Sequence, residues 1–448
     1  MSLINLNAFE ILKLFNSNKI SAVEYVSELI SHIKLREPNV EAWAFLNEDL
    51  VKSQAKKIDE KRSKNLQKPF AGIPIGIKDI IDTKDFPTEN GSKTCIGRKP
   101  KEDAHLVKLL RENDIIIFGK CVTTEFALSA PGKTKNPNNL ECTPGGSSSG
   151  SAAAVADKMI PTSIGTQTGG SVLRPASYNG IIGFKPTFGS ISRSGISPIS
   201  YRLDHPGVYA RCIEDIRIIS NLIISYDEND YDMIKNLSLK ENIVEKSDYK
   251  FAFVKGPAWP KGDEDMKENF EDFISKSKWN ITEITLPESF DNALQNHEII
   301  MNGGIYSSLK KVYKEDKENL HAYTINRIQN GLNLNASDYV DAIENAKKMK
   351  FDLSALFKKF DAIITPAAPG EAPRDLSTTG NAMFNGYWTM MGVPAISLPL
   401  LKGKNSLPIG VQVITSWKND NLLLKISDDI LNCLLYTSTS PRDQLQSR

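Results

Sequence analysis

Two serine-bearing glycine segments and one lysine stand out as candidates for chemistry. They are Pro144-Gly-Gly-Ser-Ser-Ser-Gly150, Gly165-Thr-Gln-Thr-Gly-Gly-Ser171, and Lys78 at the end of Gly72-Ile-Pro-Ile-Gly-Ile-Lys-Asp79. Glycines let a backbone approach a ligand closely, and a serine hydroxyl becomes a nucleophile once a neighbour takes its proton. Taken alone, each glycine segment reads as a turn or as a phosphate-cradling loop. The phosphate reading is weak, because neither segment is G-x-x-x-x-G-K-[ST] or G-x-G-x-x-G. Lys78, taken alone, reads as a solvated charge or an ion pair with Asp79.

Other reactive side chains offer less. Cys95, Cys121, Cys142, Cys212 and Cys433 lie far apart and form no C-x-x-C or His/Cys cluster. That spacing points to a reducing compartment, with no structural metal and no disulfide scaffold. Cys121 and Cys142 read as packed thiols and His205 as a turn residue. Lys plus Arg is 55 against 54 Asp plus Glu, so no long-range field draws in nucleic acid or an anionic membrane. The N-terminus lacks a basic stretch before an apolar run, and no segment reaches the ~18 apolar residues of a membrane span. A cytoplasmic, soluble protein is the expectation.

The elements that must position these residues alternate helix and strand. Ser21 and Glu24 fit a capping box that opens a helix running toward His32, with Val23, Tyr25, Val26, Leu29 and Ile30 on its buried side. Residues 72–81 (GIPIGIKDII) read as a strand delivering Lys78 to the edge of a core. A helix over 103–112 precedes a strand over 114–119, and residues 151–156 (SAAAVA) suit a tightly packed helix. Residues 160–165 lead as a strand into Gln167–Ser171, and 181–184, 251–254, 284–286, 361–366, 395–400 and 410–414 read as further strands. Residues 300–360 read as mainly helical. This alternation indicates an α/β architecture. Residues 437–448 (TSTSPRDQLQSR) are polar and aperiodic, and read as a disordered or artefactual tail after a single domain over 1–436.

The ordered set of motifs closely resembles the amidase signature family, which includes the A subunit of the aminoacyl-tRNA amidotransferases, fatty acid amide hydrolases and many bacterial amidases. The resemblance runs through Gly72–Asp79, Gly145–Gly150, Thr168–Ser171, Arg174-Pro-Ala176, Gly183-Phe-Lys-Pro-Thr187 and Asp204-His-Pro-Gly207. It continues through Asp361–Pro366, Trp388–Pro394 and Leu407–Gln412, covering the chain to about 432. It implies one α/β domain with a mixed, mostly parallel central sheet flanked by helices on both sides. By position, Ser171 resembles the nucleophile, Ser147 the bridging serine held by a cis peptide after Gly146, and Lys78 the base. The backbone amides of Thr168, Gly169, Gly170 and Ser171 would then form the oxyanion hole. Ser148, Gln167 and Arg174 are supporting candidates, Arg174 and Asp204 as ion pairs holding the glycine loops.

The chemistry suits that assignment. No histidine sits in a glycine motif, and the G-x-S-x-G elbow of a Ser–His–Asp hydrolase is absent around Ser171. A lysine serves as base if it is neutral, and burial among isoleucines lowers its pKa toward working pH. Three departures from the family pattern matter: Gln167 replaces an aspartate common in members, Arg174 stands one place beyond the usual arginine, where Leu173 lies, and Ser149 replaces a usual glycine. The first two resemble a branch of general amidases. The expectation is therefore an amidohydrolase acting on a linear carboxamide, without cofactor or metal, on its own or as a homodimer. The alternative is the glutaminase component of an Asp-tRNA or Glu-tRNA amidotransferase, the one case with a nucleic-acid partner. The substrate pocket is expected to draw on residues 300–390 and 121–128.

Overall fold

Short apolar runs ending at glycine, proline or a polar residue become the strands of one sheet. The computed structural model describes residues 2–235, 237–239 and 246–438. Its strands are β1 (Trp43–Leu46), β2 (Pro74–Lys78), β3 (Ile116–Cys121), β4 (Thr162–Gln167), β5 (Ile182–Lys185), β6 (His205–Ala210), β7 (Lys250–Val254), β8 (Asn280–Ile284), β9 (Ala362–Pro366), β10 (Ala395–Lys402) and β11 (Pro408–Ile414). They form an 11-stranded sheet in the order β1-β3-β2-β4-β6-β5-β10-β11-β9-β7-β8. Strands β2 to β6 are buried along their whole length, as their near-continuous apolar and small-residue content requires.

Helices flank the sheet. The N-terminal ones are α1 (Ala8–Asn16), α2 (Ala22–Val40), α3 (Glu48–Ser63) and α4 (His105–Glu112). The next are α5 (Ser149–Ala156), α6 (Leu173–Asn179), α7 (Ile213–Ile223) and α8 (Glu264–Lys276). Then come α9 (Ala293–Glu315), α10 (Ala322–Leu332), α11 (Ala336–Leu356), the short α12 (Gly386–Met390) and α13 (Asp420–Ser438). The capping box is formed: Ser21 Oγ accepts from the Glu24 amide, and the Glu24 carboxylate accepts from the Ser21 amide at 2.7 Å. Helix α2 runs past His32 to Val40, and four of the five residues expected on its inner side are buried, Val23 lying at the margin. The tail reading for 437–448 falls, from 439 onward, outside the described residues.

The sheet is mixed, but "mostly parallel" needs correcting. Parallel pairings join β2 to β3 and β4, and β7 to β8 and β9. The centre, from β4 through β6, β5, β10 and β11 to β9, is antiparallel throughout, as is the edge pair β1–β3. Antiparallel neighbours need no helical crossover: residues 403–407 join β10 to β11, and a helix-free loop joins β5 to β6. Strand β8 lies over 280–284 rather than 284–286. Strand β6 replaces the expected turn at His205, and its partner β4 carries Gln167 opposite His205. Among the described residues no helix is long and apolar enough to cross a membrane.

Candidate active site

The C-terminal ends of β2 and β4 and the N-terminus of α5 converge on one buried point. Strand β2 ends at Lys78, whose side chain is fully enclosed. Its Nζ lies 2.7 Å from Ser147 Oγ and 2.8 Å from Thr166 Oγ1. Thr166 comes from β4, which pairs in parallel with β2. Burial holds Lys78 well below the ordinary lysine range; Asp204 pulls in the opposite direction and Arg174 adds to the lowering. Lys78 thus lies buried between two hydroxyls, not as the solvated charge or Asp79 ion pair of the simpler reading. Asp79 instead lies 3.4 Å from Lys120 of β3.

Ser147 is held by its surroundings. The Gly146–Ser147 peptide is cis, as the resemblance implies, and the Ser147 carbonyl accepts from the Thr124 amide at 3.2 Å. A Cβ on Gly146 would come within 2.8 Å of Thr379 Cγ2, and one on Gly150 within 2.1 Å of the Ala42 carbonyl oxygen. The glycines there are a packing requirement. Ser148 Oγ is tied to both the amide and the carbonyl of Thr166, at 3.2 and 3.1 Å, which fixes the start of α5 against β4. Ser149 Oγ donates to the Val122 carbonyl at 3.3 Å, so the serine replacing a usual glycine is accommodated without disturbing the helix start.

Ser171 ends the second glycine segment and is the most open of the three, at 8% exposure against 1% for Ser147 and 0% for Lys78. Its hydroxyl makes no hydrogen bond among the described residues. The structure therefore brings Lys78 and Ser147 into contact and leaves Ser171 Oγ unengaged. The amides of Thr168, Gly169, Gly170 and Ser171 are likewise unpaired among the described residues, lying between the end of β4 and the start of α6. Their carbonyls are all anchored. The oxygen of Thr168 lies 3.1 Å from His297 Nε2, that of Gly169 accepts from Thr389 Oγ1 at 2.6 Å, that of Gly170 from the Arg174 amide at 2.9 Å, and that of Ser171 from Tyr209 Oη at 3.0 Å. A planar trans peptide points its N–H away from its C=O. Anchoring the carbonyls of Thr168, Gly169 and Gly170 therefore also fixes the planes that carry the amides of Gly169, Gly170 and Ser171.

The supporting candidates act through hydrogen bonds. Gln167 Oε1 accepts from the amides of Val172 and Leu173 at 2.8 and 3.0 Å, and its Nε2 donates to Thr389 Oγ1 at 2.9 Å. It satisfies orphan amides at the start of α6, the task an aspartate would perform with added charge. The expectation of ion pairs at Arg174 and Asp204 is corrected. Arg174 Nη2 donates to the Gly146 carbonyl at 2.6 Å and lies 3.3 Å from Thr379 Oγ1, while its Nε has no partner among the described residues. Asp204 accepts from Thr168 Oγ1 at 2.6 Å and from the amides of Ile199 and Ser200 at 2.9 and 3.0 Å. Burial raises the Asp204 carboxyl to about 6. Thr168 spends its hydroxyl on Asp204 and, among the described residues, hydrogen-bonds neither serine. Both charged residues do hold glycine loops, each through neutral partners.

Sequence reasoning passed over Thr166, His297, Thr389 and Tyr209. Thr166 was legible in principle, because strand alternation sets it and Gln167 on opposite faces of β4. The others come from α9, α12 and β6, and no local pattern marks them. His205 sits 2.6 Å by its Nδ1 from the Leu203 carbonyl, and burial pushes its pKa well down; among the described residues it hydrogen-bonds neither serine. Both segments expected to line the pocket do adjoin the site, through Thr124 beside Gly146 and through Thr379, Ala382 and Asn385 against Gly146 and Gly170. Among the described residues no cluster of three or more metal-ligating side chains occurs.

Comparison with known proteins bears on this geometry. The family model described as Amidase matches residues 24–424. The A subunit of the glutamyl-tRNA(Gln) amidotransferase of Clostridium botulinum (strain Hall) is 31% identical over 481 aligned residues, covering 95% of this chain and 97% of that protein. The solved structure of the glutamyl-tRNA(Gln) amidotransferase A subunit from Thermotoga maritima superposes with a TM-score of 0.79 at 27% identity, covering 95% of this chain and 94% of that one. A 6-aminohexanoate cyclic dimer hydrolase superposes with a TM-score of 0.85 at 21% identity, covering 97% and 98%, a likeness of fold.

Proposed function

Because the chain belongs to the amidase family of C–N-bond hydrolases, we propose that it hydrolyses a linear carboxamide through Lys78, Ser147 and Ser171. The observation that carries this reading is the buried contact between Lys78 Nζ and Ser147 Oγ, set beside a row of amides whose N–H groups are free. Ser171 Oγ attacks the amide carbon and gives its proton to Ser147 Oγ while Ser147 gives its own to Nζ. A neutral lysine accepts it, and burial supplies that neutrality. Charge gathers on the former carbonyl oxygen, where preorganised amides at 168–171 stabilise it without reorganising. The proton returns through Ser147 to the leaving nitrogen and the C–N bond breaks. Water then attacks the acyl-enzyme over the same relay and releases the acid. The Ser147–Ser171 leg of the relay closes when substrate is bound, as catalytic hydrogen bonds commonly do.

A second reading is glutaminase chemistry within a tRNA amidotransferase, favoured by the 31% identity to an amidotransferase A subunit. The neutral Gln167 and the position of Arg174 favour an enzyme that works without partner subunits. The deciding experiment screens small amides and ureas, glutamine and asparagine included, for ammonia release by the isolated chain. Hydrolysis without partners supports the first reading; activity appearing only after co-purification with partner subunits supports the second. Lys78→Ala and Ser171→Ala run beside the native chain, and normal turnover in both would overturn the proposed relay.

A further inference from the structure

We propose that His297 is a positioning residue for the amide row, holding the Thr168–Gly169 peptide so that the Gly169 N–H faces the attacked carbonyl. The inference rests on the reading of Ser171 as nucleophile. His297 projects from α9, more than a hundred residues along the chain from Ser171, and is buried. Its Nε2 lies 3.1 Å from the Thr168 carbonyl oxygen. A carbonyl only accepts, so Nε2 carries the hydrogen and the neutral ring leaves Nδ1 bare. The ring is wedged. A Cβ on Gly386 of α12 would come within 2.8 Å of Nδ1, and one on Gly169 would lie 3.5 Å from Cε1. The absent side chain of Gly386 thus makes room for the imidazole on the helix behind it, and the ring packs in ordinary contact beside Gly169 of the amide row.

The placement has a consequence for the reaction. Of the four anchored carbonyls, Gly170 is held by α6 backbone and Ser171 by a tyrosine of the sheet, both integral to the fold. Thr168 is held by an imidazole reaching in from α9. Its peptide presents the amide of Gly169, a residue without a side chain to restrict rotation. Burial lowers the His297 pKa; the Thr168 hydrogen bond and then Glu298 oppose that shift, and Arg327, bonded to Glu298, adds to it. The ring stays neutral, and it lies on the carbonyl side of the row rather than beside the serines, so it orients an amide and moves no proton.

The test uses the full chain and a fluorophosphonate probe, which needs no knowledge of the natural substrate. The serine oxygen displaces fluoride from phosphorus, and charge gathers on the phosphoryl oxygen as on a carbonyl. Mass spectrometry locates the adduct, and rates at varied probe concentration separate the maximal rate of modification from the half-saturating concentration. The native chain is expected to be labelled at Ser171; absence of label there overturns the nucleophile reading itself. His297→Leu is expected to lower the maximal rate by about 10- to 100-fold, less than or comparable to deleting an oxyanion donor outright, with half-saturation nearly unchanged. His297→Gln, which keeps an N–H at similar reach, is expected to recover most of the loss and to retain the acidic limb of the pH profile. An unchanged maximal rate in His297→Leu, a loss confined to half-saturation, no recovery in His297→Gln, or a vanished acidic limb would each overturn the inference. Should His297→Leu fail to fold, His297→Gln against the shorter His297→Asn decides it: equal rates overturn the positioning role, and a slower asparagine variant supports it.

Discussion

Replacing Lys78 by methionine separates chemistry from stability in a single variant. Methionine fills a similar volume, but Ser147 Oγ and Thr166 Oγ1 lose their contacts at 2.7 and 2.8 Å. Amide turnover should fall by roughly 10²–10⁴, the usual yield of general base catalysis. The stability change has a sign that follows from burial. The folded pKa of Lys78 lies well below its ordinary value of 10.5. Over the interval between the two, the unfolded chain binds a proton on Lys78 that the folded chain does not. Native stability therefore rises with pH there, by ~1.4 kcal/mol per unit, and the gain is lost as pH falls toward the folded pKa. Methionine abolishes this dependence, so the stability of Lys78→Met relative to the native chain should fall by ~1.4 kcal/mol per unit. Urea unfolding at pH 8.5 and 9.5 with both proteins reads the difference, and ammonia release from the best amide of the screen reads activity. Turnover within tenfold of native would remove Lys78 as base. A gap that is constant with pH would show that its ammonium is as charged in the folded chain as in the unfolded one.

Other substitutions probe the supporting frame. Ser147→Ala should abolish most amide turnover while leaving the melting temperature nearly unchanged, since the Ser147 hydroxyl has one partner, Lys78; a steady-state assay with a melting curve checks both. Gln167→Leu strips partners from the amides of Val172 and Leu173, and burying unpaired amides should cost ~3 kcal/mol by denaturant unfolding, with loss of turnover as α6 shifts. Gly150→Ala forces a Cβ to within 2.1 Å of the Ala42 oxygen and 2.4 Å of the Val122 nitrogen. Both are backbone atoms, so it should cost about 3 kcal/mol, the upper range of overpacking, read as a lower unfolding midpoint.

Local signals marked the residues proposed to face the reaction, and long-range contacts hid those behind them. Lys78, Ser147 and Ser171 lie in segments whose composition is unusual in itself: isoleucines around a lysine, glycines around serines. The side chains bonded to the carbonyls of Thr168, Gly169 and Ser171 come from α9, α12 and β6, and nothing around His297 or Thr389 distinguishes them from ordinary helix residues. Strand β6 was hidden by its own composition. Pro206 and Gly207 disfavour strand interiors, yet Pro206 pairs with Thr166, and a Cβ at Gly207 would come within 2.7 Å of the Phe184 oxygen. Helix–strand alternation was visible, but strand direction is decided by connections across the sheet, which is why its antiparallel centre went unread.

Burial alone does not single out Lys78. Lys78, Lys120 and Lys185 each end or nearly end a strand, each is fully buried, and burial lowers all three, Lys120 to about 8 and Lys185 to about 7. Their partners divide them. Lys185 Nζ donates to the carbonyls of Val393 and Pro186 at 2.6 and 3.2 Å. Lys120 Nζ has one hydroxyl, Thr88 Oγ1 at 2.6 Å, but also donates to the carbonyls of Ile81 and Pro87 and lies beside the Asp79 carboxylate. Carbonyls and carboxylates only accept, so they ask the nitrogen for hydrogens and favour a donor role. Among the described residues Lys78 alone of the three has hydroxyls and nothing else as hydrogen-bond partners, and hydroxyls also donate. A neutral amine can then give one hydrogen to Thr166 and turn its lone pair toward the hydroxyl of Ser147, the arrangement a base requires. On the proposed relay a threonine at 166 has a part to play: Thr166→Val should leave Lys78 equally buried but free to rotate its lone pair away from Ser147, and an amide turnover equal to native would refute that part.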